Sequence, residues 1–109
     1  MSESKAQQSV EAGKQVGASF SYENAGETYW TSVGVQKSEG VYLVYVDEIR
    51  EAKMSAEEFE REEMIAFDTI EAAAAFVDAN TRASFHDLRP CKGQKVFNPA
   101  FYSPPSTPQ

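Results

Sequence analysis

His86 and Cys91, the only histidine and the only cysteine, stand five residues apart in the chain, a spacing that invites a thiolate–imidazole pair. Arg89, Lys92 and Lys95 bring positive charge to the same stretch, which lowers a thiol pKa and favours the nucleophilic thiolate. Against that chemistry, Pro90 lies between the two side chains, no oxyanion-hole motif flanks the cysteine, and no second cysteine is present to resolve an oxidised form. The pair reads instead as a loop cysteine packed against a sheet with a surface histidine. One His and one Cys also fail to complete a structural zinc site. The acidic run Glu57, Glu58, Glu60, Glu62, Glu63 lacks the glycine and the spaced Asp/Asn positions of a calcium loop, so it reads as a solvated face and no cofactor is expected. Lys92-Gly93-Gln94-Lys95 could present backbone N–H groups to an anion, but the chain has neither GxxxxGK[ST] nor GxGxxG, and a basic turn is the simpler reading. These residues point to a protein that is not an enzyme.

Charge is divided along the chain. Residues 47–78 hold eleven carboxylates against Arg50, Lys53 and Arg61, whereas residues 80–95 carry Arg82, Arg89, Lys92 and Lys95 against Asp87 alone. Such a field steers and orients a partner. The net charge of −7 and pI near 4.6 disfavour unaided binding to nucleic acid or anionic lipid, which calls for a concentrated basic surface. The longest apolar stretches, Val41–Val46 and Ala72–Val77, fall far short of the roughly 20 residues of a membrane span. With one cysteine and no apolar leader, the chain is expected to be cytoplasmic.

The elements that must position these residues follow from periodicity. Ala18, Phe20 and Tyr22 alternate with polar neighbours as in a half-buried strand; Asn24-Ala25-Gly26-Glu27 supplies a turn; Thr28–Lys37 forms a second strand with Tyr29, Val33 and Val35 on one face and Trp30 on the other. Lys37-Ser38-Glu39-Gly40 is a hairpin loop. The third strand, Val41–Ile49, is apolar on both faces and belongs inside the sheet. Residues 51–67 carry a capping-box signal at Ser55 and a strand pattern towards Phe67, giving a short helical turn followed by a strand. Asp68 is the expected cap of the principal helix, Thr69–Ala79, with Asn80 at its end. Ser84–Leu88 forms a further turn, and a C-terminal extended segment returns along the sheet. The fold class is therefore α+β: an antiparallel meander of three to four strands with one main helix on one face. Residues 1–17 are expected to be a flexible tail or frayed helix, 18–102 a single domain, and 103–109 a Pro/Ser-rich disordered tail.

One sheet face is then left open, to be closed by the N-terminal segment, by the Phe97–Tyr102 stretch or by a second copy of the chain. The expected function is that of a small noncatalytic accessory or regulatory protein. It would bind a protein partner of basic surface through Glu57, Glu58, Glu60, Glu62 and Glu63 together with the sheet aromatics Trp30 and Tyr42, and use Arg89, Lys92 and Lys95 towards a second site. The alternative, disfavoured by charge, is a single-stranded nucleic-acid module that stacks bases on the same aromatics beside the basic 82–95 segment.

Overall fold

A computed structural model of the chain describes residues 4–93 and 95–102. The tail expected over 103–109 lies outside the described residues, as does Gln94 of the basic turn. The sheet has five strands rather than three or four: β1 (Val16–Asn24), β2 (Glu27–Ser38), β3 (Val41–Arg50), β4 (Phe59–Phe67) and a two-residue β5 (Arg89–Pro90), in the order β4-β3-β2-β1-β5, all antiparallel. The meander forms because both hairpin loops are two residues long. Ala25 and Gly26 in the first, and Glu39 and Gly40 in the second, all take positive φ, and that loop geometry matches the right-handed twist of the strands it joins. The fifth strand escaped the sequence reading because a pair of residues containing a proline carries no alternation; it is recruited by the edge of β1, where Gly17 pairs Arg89.

The ambiguous 51–67 stretch resolves into a 3₁₀ turn, Glu51–Ala56, followed by β4. The turn closes at Glu57, whose left-handed φ of 54° redirects the chain, so the capping-box glutamates never enter a helix. The principal helix, α2 (Ile70–Asn80), begins one residue later than expected and is capped by Thr69, not Asp68: the Thr69 hydroxyl accepts from the Ala72 N–H at 3.1 Å. Asn80 is the last helical residue, not the cap; Thr81 follows and ties both its N–H and its hydroxyl to the Val77 carbonyl.

Of the two readings of the N-terminal segment, flexible tail or frayed helix, the described residues show a helix. Residues Lys5–Glu11 form a helix, α1, capped by Ser4 and closed by Gly13, which pairs with the Val10 carbonyl while Lys14 pairs with that of Ser9. Ala6 and Val10, one turn apart, are fully buried. A seven-residue helix is unstable alone; burial of Val10, worth roughly 2 kcal/mol, together with Ala6 and the hydrogen bond from Tyr42 to Glu11, holds it against the sheet. Register places Val16 and Ala18 of β1, Val33 and Val35 of β2, Tyr42, Val44 and Val46 of β3, and Ile65 and Phe67 of β4 on one face. The two helices and Phe85 and Leu88 cover that face and complete the main core.

The other face is crossed by residues 95–101. Gly17 and Gly34 are register partners, and a Cβ at Gly34 would lie 2.9 Å from Phe97 Cδ1, while one at Gly17 would lie 2.7 Å from Val96 Cγ2. Their missing side chains let the C-terminal segment lie flat on the strands. Gly34→Ala is expected to lift that segment and destabilise the chain by about 1–3 kcal/mol in urea unfolding; a variant as stable as the parent would show that the segment does not rest on this floor.

Candidate functional site

The open part of the second face is built in register rows. In the row Ser19–Ser32–Asp47–Glu62 the two serine hydroxyls lie 2.8 Å apart, and the Tyr45 hydroxyl, two residues from Asp47 on the same face, stands 3.0 Å from Asp47 Oδ2 and 2.9 Å from Glu62 Oε2. A phenol has one proton to donate, so the two carboxylates compete for it. Burial raises the Asp47 pKa; hydrogen bonds from Tyr45 and Ser32 oppose that shift and the charge of Glu62 adds to it. Desolvation and the same two carboxylates push the Tyr45 hydroxyl up as well, so it stays protonated. Five carboxylates elsewhere are matched: Glu11 lies beside Lys37, Glu27 and Glu60 beside Arg50, Glu58 beside Lys53 and Glu63 beside Arg61. No Lys or Arg among the described residues makes such a pair with Asp47 or Glu62.

Beside this pair runs a groove of about 900 Å³ between β4 and the C-terminal segment. The Tyr45 ring, stacked on Phe97 at 5.5 Å, forms its floor; Met64, Val96, Pro99 and Phe101 supply apolar wall, Glu62 and Lys95 polar rim. Gln15 holds the far wall in place. Its side chain is buried; Oε1 accepts from the Val96 N–H at 2.7 Å, and Nε2 donates to the Phe97 carbonyl at 2.9 Å and to Gln36 Oε1 at 2.8 Å. At the other end of the face, Trp30, Ile49 and Phe59 occupy one row, with Trp30 39% and Phe59 43% exposed and the indole N–H 3.2 Å from Glu51 Oε1.

The residues singled out by sequence are only partly brought together. Trp30 is exposed on the open face; Tyr42 is not, since it is buried in the core with its hydroxyl donating to Glu11 at 2.5 Å. Strand alternation divides the acidic run. Glu62 lies on the open face, Glu63 pairs across from Val46 on the helix-covered face, Glu60 is bound to Arg50, and Glu57 and Glu58 stand at the loop before β4. Arg89 sits in β5 at the opposite sheet edge from β4, Lys92 is exposed beyond it, Lys95 borders the groove, and Arg82 is stacked over the Tyr22 ring at 3.8 Å. The 82–95 segment is thus spread over the molecule rather than gathered in one patch. The Cys91 thiol donates to Gln15 Oε1 at 3.5 Å and the His86 ring lies edge-on to Phe85, with no hydrogen bond between Cys91 and His86 among the described residues. Among the described residues, no group of three or more His, Cys, Asp or Glu is placed to hold a metal ion, and no helix is long and apolar enough to cross a membrane.

Sequence reasoning placed Tyr45 among the sheet aromatics and Asp47 in the acidic 47–63 surface without joining the two, and it missed Gln15, Phe59 and Phe97 as members of a site. For Asp47 the signal was present: a carboxylate inside a strand that is apolar on both faces. No protein-family model, curated protein or solved structure matches the chain.

The Asp47 shift has a consequence for stability. With its pKa higher folded than unfolded, the folded state holds the proton more tightly, and the stability this contributes is present below the ordinary value of 3.8 and is lost as pH rises through the raised folded value. Asp47→Asn is therefore expected to raise the thermal midpoint at pH 7, with the gain vanishing as the pH falls below about 4. A lower midpoint at pH 7 would mean that the ionised carboxylate stabilises the fold.

Proposed function

We propose that this chain is a noncatalytic accessory or regulatory protein that binds a basic protein partner through the open face of its sheet. The observation that carries the reading is the Trp30–Ile49–Phe59 row beside the Asp47–Glu62 pair: exposed aromatic rings next to two carboxylates that pair with no Lys or Arg among the described residues. Aromatic anchors rimmed by polar groups are the composition of a protein interface, and a part-buried carboxylate that is hydrogen-bonded but in no ion pair marks a position held for something other than stability. Opposite charge on the partner would supply the missing counter-ions and speed its association. Trp30 is flanked by Glu51 rather than by Lys or Arg, which suits a cationic partner better than a phosphate backbone.

The test is capture from native lysate with tagged chain after nuclease treatment, at low and high salt, with wild type beside a Trp30→Ala/Phe59→Ala variant of unchanged circular dichroism. A basic protein retained by wild type, released by salt and lost from the variant is the expected outcome. Its purified form should then shift the emission of Trp30, the sole tryptophan. Capture indifferent to both salt and variant would overturn the reading.

A further inference from the structure

We propose that the groove between β4 and residues 95–101 takes an arginine side chain from an extended segment of the partner, with its guanidinium on Asp47 and Glu62. This rests on the reading of the chain as a receptor for a basic protein, and adds where and by what group the partner is recognised.

Three observations lead to it. Asp47 and Glu62 converge on the one hydroxyl of Tyr45, which with Glu62 lines the groove; Asp47 accepts from Ser32 as well, and neither carboxylate is in an ion pair with a Lys or Arg among the described residues. A guanidinium presents five N–H donors in a planar fork and is the least strongly hydrated of the side-chain cations, so it fits two neighbouring carboxylates, one part-buried and one exposed, better than an ammonium does. The volume of about 900 Å³ exceeds what one head group needs, and its apolar wall at Met64 and Phe101, the latter 77% exposed, suits the methylene stem that carries that head group. Finally, β4 ends the sheet, paired with β3 alone among the described strands. An extended segment along that free edge would turn alternate side chains towards the groove. Lys95 on the rim is the one opposing charge; it makes no ion pair with either carboxylate.

The test is titration of the full-length ¹⁵N-labelled chain with the capped peptide acetyl-Gly-Leu-Arg-Leu-Gly-amide, and with versions carrying Lys or Glu at the centre. The Arg peptide is expected to move the Tyr45, Glu62, Met64 and Phe97 amides saturably and more tightly than the Lys peptide, and the Glu peptide to move none. Asp47→Asn/Glu62→Gln should weaken the Arg peptide about tenfold without other spectral change, and Lys95→Gln should tighten it about threefold. Shifts confined to Trp30, Glu51 and Phe59 would overturn the groove while leaving the basic-partner reading standing. A response to the Glu peptide or to decathymidylate in place of the Arg peptide would overturn both. Silence towards every probe would overturn the groove alone, since lysate capture tests the wider reading separately.

Discussion

The second face of this protein depends on one buried amide. Gln15 stands just before β1, and its side chain meets the backbone of Val96 and Phe97, some eighty residues away in the chain, through both of its polar atoms. Its backbone carbonyl also accepts from the Cys91 N–H at 2.9 Å, so the segment is fastened at both ends of its run past the sheet edge. A single such bond contributes only about 1 kcal/mol net, but removing the amide would strand several buried groups at about 1–3 kcal/mol each. The glycine pair beneath provides room and Gln15 provides attachment. Together they convert an open sheet face into a groove with two walls.

The same face shows where stability has been given up. Three of the eight carboxylates of the 47–63 stretch, Glu58, Glu60 and Glu63, are matched to an Arg or Lys, and those exposed pairs are worth little individually. Asp47 and Glu62 are set apart by geometry: adjacent in register and sharing one phenol, with Asp47 part-buried and Glu62 exposed. A fold selected for stability alone would place an amide or a hydroxyl there. Their position between the Trp30 row and the groove joins the two halves of the proposed interface into one surface.

Much of the scaffold was legible in the sequence. The three long strands, the turn-then-strand of residues 51–67 and the main helix follow from period-two and helical spacing and from glycine-bearing turns, which act over a few residues. What escaped reading was non-local. Helix α1 has only Ala6 and Val10 to bury, too little signal until a sheet is there to receive them. β5 exists only because β1 has an edge, and Tyr42 looked like a surface aromatic because the helix covering it could not be assigned to its face. The acidic run was visible as charge, but only the register of β4 decides that Glu62 and Glu63 face opposite ways. Gln15 and the Gly17–Gly34 pair carry no local signal, as their roles are set by the segment 91–97.

Hydrogen–deuterium exchange of the Val96 amide tests the role of Gln15 most directly. Because that N–H is held by a buried side chain at 2.7 Å and lies in no helix or strand, its protection can come only from the closed arrangement of the segment. The expected result is exchange as slow as that of the interior amides of β2 and β3, becoming fast in Gln15→Ala while those strands stay protected. Exchange at the rate of an exposed peptide in the native chain would mean that the C-terminal segment is not latched, and that the groove it forms with β4 is not a standing feature of the fold.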